Sequence, residues 1–217
     1  MSVFVTGTDT GVGKTKFTVW LLRCLRERGV RCAGYKPICC GDRDDAVQLQ
    51  AASSPGLTIN EVNPVWLRTP AAPLTAAQAE GRKIDLPALR KGFVRLSARF
   101  DFIAVEGVGG WMVPITTGYF SSDLAVDLRL PVIVVAENRL GCLNHILLTV
   151  RAIETAGLKC AGVVLNDLAK KSDFPMTTNA EILRSCLTLP VFADFDPDTT
   201  GISARLSQMI PEIGELL

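Results

Sequence analysis

Histidine is almost missing from this 217-residue chain: His145 is the only one. The seven cysteines, Cys24, Cys32, Cys39, Cys40, Cys142, Cys160 and Cys186, contain no C-x-x-C pair. These two shortages leave a zinc site without a ligand set. An apolar strand pattern begins at Val3, which leaves no room for a signal peptide. Buried thiols in a reducing cytoplasm are therefore expected rather than a disulfide framework. No apolar run reaches the roughly 20 residues of a membrane span, so no membrane partner is expected. The net charge of +1 excludes a nucleic-acid partner held by general charge neutralisation. Repeats, low-complexity segments and a mid-chain linker are lacking as well. At about 150 residues per domain, one domain over residues 1–217 is expected. With 48% hydrophobic and 21% charged residues, a sizeable buried core is expected rather than disorder.

What is present is an alternation of short apolar runs and helical patterns. Strands are expected over Val3 to Thr6, Val30 to Tyr35, Phe102 to Val105, Val132 to Ala136, Cys160 to Leu165 and around Val191. Helices are expected over Thr15 to Arg28, Asp45 to Ala52, Leu86 to Phe100, Ser122 to Leu128 and Leu143 to Ala156. One further helix is expected after Asp167 and a last one from Ile202. Residues 55 to 75 are rich in proline, lack periodicity and read as an excursion. Continuously apolar strands separated by helices imply an α/β fold with a mostly parallel sheet and right-handed crossovers. Ligands of such sheets lie beyond the carboxyl ends of the strands. Those ends carry Gly7 to Thr15, Lys36-Pro37, Glu106 to Gly110, Glu137-Asn138 and Asn166-Asp167.

The stretch Gly7-Thr8-Asp9-Thr10-Gly11-Val12-Gly13-Lys14-Thr15 lies between a strand and a helix. Gly11, Val12, Gly13, Lys14 and Thr15 are expected to cradle a nucleoside triphosphate with backbone N–H groups and a helix N-terminus. Lys14 supplies a point charge to the outer phosphates, and the Thr15 hydroxyl suits Mg²⁺. The loop departs from the strict pattern, because Thr8 occupies the first glycine's position and Gly7 stands one residue early.

Lys36 closes an apolar strand, where its ammonium suits charge developing on a transferring phosphoryl group. Asp42, Asp44 and Asp45 follow the Cys39-Cys40-Gly41 turn. One of them suits a Mg²⁺ ligand, and helix capping explains Asp45 equally well. Glu106 ends a buried strand before Gly107, Val108, Gly109 and Gly110, a place for a second metal carboxylate with glycines that admit close approach. Asn166 offers an amide to a base edge or to a turn. Asn144 reads as a helix cap, His145 as a half-buried helix residue, and Cys40 as a packing or hydrogen-bonding thiol.

Several motifs in order give the chain a family resemblance. They are Val5 to Thr15, Tyr35-Lys36-Pro37, Asp45-Ala46, Asn63-Pro64, Glu106 to Trp111, Leu130-Pro131-Val132, Leu140 to His145 and Asn166-Asp167. In these the chain resembles the dethiobiotin synthetases, ATP-dependent enzymes with a P-loop NTPase-like fold. The resemblance implies a homodimer in which 7,8-diaminononanoate, CO₂ and ATP give dethiobiotin, ADP and phosphate. It implies that Lys14 and Lys36 stabilise phosphate and carbamate charge. It assigns Mg²⁺ to Thr15, Asp45 and Glu106, and the base to Asn166. Thr10, Cys40 and Gly107 to Gly110 would face the diamine or its carbamate. Leu143 and Asn144 would reach the substrate's carboxylate tail from the partner subunit, near the subunit interface.

Three positions depart from that family. Cys40 stands where Ser or Thr is usual, Leu74 replaces a common histidine, and Gly11 fills a variable or acidic position. Two other classes share the phosphate loop. Amide synthetases acting on cobyrinic acid carry a C-terminal amidotransferase domain that this length is not expected to hold. Deviant-loop ATPase switches place a second lysine early in the loop, where this chain has Asp9 and Thr10. Lys36→Ala is expected to abolish turnover and leave folding nearly intact.

Overall fold

The structure, a computed structural model, describes residues 1–168 and 174–193. The chain opens with β1 (Ser2–Gly7), α1 (Lys14–Glu27), β2 (Cys32–Tyr35) and β3 (Ile38–Cys40). It continues through α2 (Asp44–Ala52), α3 (Ile59–Val62), β4 (Val65–Leu67), α4 (Pro73–Ala79) and α5 (Leu86–Ser97). Next come β5 (Phe102–Gly110), β6 (Pro114–Thr116), β7 (Tyr119–Phe120) and α6 (Ser121–Leu128). The last described elements are β8 (Val132–Glu137), α7 (Cys142–Thr155), β9 (Cys160–Asn166), α8 (Phe174–Cys186) and β10 (Val191–Phe192). The helix expected from Ile202 lies outside the described residues.

Six strands form one parallel sheet in the order β10-β9-β8-β1-β5-β2. From β1 the chain first builds one side of the sheet, then crosses to the other at β8. The reversal beside β1 opens a crevice at the strands' carboxyl ends, and the Gly-rich loop after β1 sits in it. Strand alternation supplies two apolar layers. Val3 and Val5 pack with Phe17, Leu21 and Leu25 of α1 and Leu49 of α2. Phe4 joins the opposite layer with Leu89 of α5, Leu124 of α6 and Ile146 of α7. Leu21, Leu22 and Leu25 are fully buried, each contributing ~1.5–3 kcal/mol relative to an exposed position.

Helix ends follow local chemistry. α1 starts after Gly13 at φ +92° and is followed by Gly29 at φ +79°, a backbone state that suits glycine. Asp85 accepts from Ala88 N at 3.1 Å to cap α5. Asp123 accepts from Phe120 N at 2.7 Å at the start of α6.

Five readings of the sequence need correction. Residues 55 to 75 are not a featureless excursion: they contain α3, β4 and the start of α4, and β4 pairs in parallel with β3. The strand beginning at Phe102 does not stop at Val105, because β5 runs to Gly110 and pairs Val5 with Glu106 and Gly7 with Gly110. Asn144 is no cap; Gly141 precedes α7, Asn144 lies in its first turn, and His145 is exposed. All seven cysteines are free, yet Cys186 is exposed rather than buried. No described helix is long and apolar enough to cross a membrane.

Candidate active site

The loop after β1 is shaped by what its glycines avoid. A Cβ on Gly7 would lie 2.7 Å from Asp9 O and 3.0 Å from Lys14 Nζ. That close approach explains why glycine stands at position 7 while position 8 tolerates threonine. A Cβ on Gly13 would lie 1.8 Å from Asn166 Nδ2. Asn166 donates to Val12 O at 3.0 Å, so the end of β9 seats the loop from beneath. Lys14 Nζ donates to Asp9 O at 3.0 Å, folding its side chain back over the loop.

Below the loop lies a charged floor. Lys36 Nζ is 2.6 Å from Glu106 Oε1 and 2.8 Å from Asp45 Oδ2. The Thr15 hydroxyl lies 2.7 Å from Asp45 Oδ1 and 2.9 Å from Glu106 Oε1. Four elements meet here: the start of α1, the chain after β2, α2 and the middle of β5. Glu106 is fully buried and Lys36 is 3% exposed. Burial works against the Lys36 charge, but Glu106 and Asp45 outweigh it and hold the ammonium above its usual range. Burial pushes Asp45 up, while Lys36 and the Thr15 hydroxyl bring it below the usual carboxylate range. Lys14 is lowered to about 8, by burial first and by the Lys36 charge second.

Glu106 Oε2 is buried without a hydrogen-bond partner among the described residues. The single Thr15 proton faces two carboxylate oxygens. An unpartnered buried carboxylate oxygen and an oversubscribed hydroxyl make an oxygen-only donor set that fits a hard divalent cation. Among the described residues there is no cluster of three His, Cys, Asp or Glu. A cation here would draw its remaining ligands from phosphate and water, as Mg²⁺ ordinarily does.

A cleft of about 700 Å³ opens above this floor. It brings together Thr10, Gly11, Gly13, Lys14, Thr15, Lys36, Cys40, Asp45, Val108 and Gly109. Thr10 and Gly109 face each other: a Cβ on Gly109, at φ +59°, would come 3.2 Å from Thr10 Oγ1. Gly110 sits against the loop backbone, its would-be Cβ 3.4 Å from Thr8 O, and Gly107 packs on Phe4 and Ser121. Val12 is buried under the loop. Of the three clustered aspartates, Asp45 joins the floor, whereas exposed Asp42 accepts from Asp44 N at 3.2 Å. Leu143 and Asn144 are not in the cleft lining; they lie in the first turn of α7, and Asn144 is exposed.

One contributor escapes a sequence reading, and a second is legible there only as part of a motif. Gln48 lines the cleft one helical turn after Asp45, a spacing that places both on one face of α2. Asn63, fully buried, donates to Lys36 O and Val65 O at 2.8 and 2.9 Å and anchors the chain that presents Lys36. Asn63-Pro64 is visible in the sequence, but nothing local says which carbonyls it holds.

The chain matches the family model described as an AAA domain over residues 1–201. It is 43% identical over 190 residues to the ATP-dependent dethiobiotin synthetase BioD of Akkermansia muciniphila, spanning 88% of this chain and 89% of that one. It is 39% identical to the protein of the same name from Xanthomonas oryzae pv. oryzae, spanning 96% and 97%. With that of Aromatoleum aromaticum it shares 40% identity over 94% and 96% of the two chains. Among solved structures, its backbone is similar to the septum site-determining protein MinD from Pyrococcus horikoshii, complexed with Mg-ADP, at TM-score 0.61 and 17% identity. That match covers 100% and 97% of the two chains. It is also similar to cobyrinic acid a,c-diamide synthase from Mycobacterium smegmatis, at TM-score 0.55 and 18% identity over 99% and 91%. These two establish the fold alone, that of a P-loop NTPase. At 39–43% identity over nearly the full length of both partners, the sequence likeness goes beyond the fold, and the chain belongs to the ATP-dependent dethiobiotin synthetase family.

Proposed function

We propose that this protein closes the ureido ring of dethiobiotin from 7,8-diaminononanoate, CO₂ and ATP. The observation that carries the reading is Lys36: an ammonium buried between Glu106 and Asp45 on the floor of the cleft, beside the phosphate-loop Lys14. Two lysines from different strand ends flank one space, as a reaction that gathers negative charge between a carboxylate-like nucleophile and a phosphoryl group requires.

One amine attacks CO₂, forms a C–N bond and loses a proton, giving a carbamate. A carbamate oxygen attacks the γ-phosphorus while the bond to the bridging oxygen breaks and ADP leaves with that electron pair. The second amine attacks the carbamate carbon, phosphate leaves with the C–O pair, and a proton passes to solvent. The protein's part is positioning and charge stabilisation. Lys14 and Lys36 hold the phosphoryl and carbamate oxygens. The diamine side belongs to Thr10, Cys40 and the backbone of Gly107, Val108, Gly109 and Gly110, of which Thr10, Cys40, Val108 and Gly109 line the cleft. Gly11, Val12, Gly13, Lys14 and Thr15 hold the triphosphate, and Asn166 reads the base. Thr15, Asp45 and Glu106 would hold Mg²⁺, which neutralises phosphate charge when bound.

Leu143 and Asn144 serve the partner subunit of a homodimer, with the first turn of the 14-residue α7 facing the substrate carboxylate. Leu140 and Leu148, 74% and 58% exposed, flank them with apolar surface suited to that interface. The cytoplasm is the compartment in which seven free thiols persist.

The test is stoichiometric. Purified protein given the diamine, bicarbonate and Mg-ATP is expected to release one ADP per ureido product. ATP hydrolysis indifferent to the diamine overturns the reading. Parallel reactions with CTP and GTP identify the base.

A further inference from the structure

Beyond the charged floor, the ends of β8 and β9 carry a second buried polar cluster that the reaction described above leaves unused. Asn138, 4% exposed, continues β8 and donates its backbone N–H to Asn166 O at 2.9 Å. Its side-chain Nδ2 donates to Asp167 Oδ1 at 2.8 Å and to Met176 O at 3.0 Å. Its Oδ1 accepts from Asn179 Nδ2 at 2.9 Å. Asn179, 5% exposed on α8, also lies 3.3 Å from Arg139 O and 3.3 Å from Cys142 Sγ at the start of α7.

The cluster is uncharged save for Asp167, and each amide hydrogen of Asn138 has an acceptor. Buried amides in such number are costly unless paired, at about 1–3 kcal/mol for each group left unsatisfied. A core that needed only apolar filling would not carry them. What they bind together is specific: the Asn166–Asp167 segment, α8, and the first turn of α7. Asn166 itself holds the phosphate loop through Val12 O.

We propose that Asn138 and Asn179 are positioning residues for nucleotide recognition, an amide pair that fixes the Asn166–Asp167 edge against which the base is read. The proposal rests on the reading of Asn166 as the base contact. Asn179 touches neither the loop nor the Asn166–Val12 hydrogen bond, so a change there leaves the loop glycines, Lys14 and Thr15 in place and falls first on the base. A purely structural role would weaken both alike.

The experiment compares calorimetric affinities for Mg-ATP and for Mg-tripolyphosphate, which lacks base and ribose. It uses the full chain, Asn179→Ala and Asn138→Ala. The ATP-over-tripolyphosphate ratio is expected to fall about tenfold in each variant, roughly the loss of one well-placed buried hydrogen bond. Tripolyphosphate affinity is expected to stay within about twofold. An unchanged ratio, or equal losses for both ligands, overturns the proposal. Should the alanine variants fail to fold, Asn179→Ser carries the same prediction, because its hydroxyl is satisfied on the preceding turn of α8. Wild-type protein that binds ATP no better than tripolyphosphate overturns the base reading of Asn166, and the proposal with it. The stoichiometric turnover assay is independent of these affinities, so the two readings fail separately.

Discussion

The ends of β1, β2 and β5 and the ends of β8 and β9 lie along one sheet edge but are built from opposite materials. On one side, buried Lys14, Lys36 and Glu106 and half-exposed Asp45 gather charge around Thr15. On the other, Asn138 and Asn179 pair through their side-chain amides, and the Asn166 amide holds Val12 O. The difference matches the division of labour proposed for them. Charge acts at a distance and in every direction, which suits phosphate oxygens and shifting negative charge. Amides carry a donor and an acceptor at fixed angles, which suits a flat edge with its own donors and acceptors. Damage to the first side should strike chemistry and stability together, and damage to the second should strike discrimination.

The largest effect is expected from Lys36→Met, which keeps the packing and removes the ammonium. Turnover should fall by about a thousandfold, the scale for loss of a preorganised charge stabiliser. The sequence-based expectation that folding survives nearly intact treats Lys36 as a strand-end lysine. Buried between two carboxylates, it leaves Glu106 as an uncompensated interior charge when removed, at a cost of about 3–5 kcal/mol. Urea denaturation measures that loss. Lys36→Met combined with Glu106→Gln should regain most of the stability and none of the turnover. If the double variant is as unstable as the single one, electrostatic pairing does not hold this side together.

Much of this arrangement is legible in the sequence where one segment contains its own signal. The phosphate loop lies between an apolar run and a helical pattern, and both boundaries appear within a residue of expectation. Lys36, Asp45 and Glu106 can be named from strand and helix ends. Their mutual contact cannot, because it depends on β5 pairing beside β1 and on α2 returning over β2. Glu106-Gly107-Val108-Gly109-Gly110 reads as a turn because glycine weakens a strand locally. The strand persists because those glycines let β5 lie close on Phe4 and on the backbone at Gly7 and Thr8. Asn138 is legible only as a polar strand end, and Asn179 escapes sequence reading altogether. An isolated asparagine says turn or cap, and only the register of β8 with β9 puts Asn138 against Asp167 and α8.

A smaller effect on the charged side comes from pH. Lys14 has a pKa of about 8 in the folded protein against an ordinary 10.5. Between these values the unfolded chain binds the proton and the folded chain does not, so stability of the unliganded protein rises with pH across that window. Nucleotide affinity should move the other way, because the phosphates need the ammonium. It should fall by up to tenfold per unit above about pH 8. Calorimetry at about pH 8.5 in two buffers of different ionisation enthalpy should register proton uptake on ATP binding. Absence of uptake removes Lys14 as the titrating group.

The smallest effect concerns Cys40, which ends β3 and lines the cleft on the charged side, with Lys36 and Asp45. Burial, and after it the Glu80 carboxylate, push its thiol up to about 11, so at neutral pH it is protonated and a poor nucleophile. It is also a weak hydrogen-bond donor where a hydroxyl would be a good one. Cys40→Ser should therefore lower KM for one substrate by about two- to fivefold, within the ~0.5–1.5 kcal/mol of one neutral hydrogen bond, and leave kcat nearly unchanged. Whether the change falls on the KM of ATP or of the diamine tells which ligand the residue touches. Resistance of the wild-type activity to iodoacetamide at neutral pH checks the protonation state independently. A large change in kcat would mean that Cys40 acts on the reacting groups together with Lys36, rather than only as a hydrogen-bonding wall of the cleft.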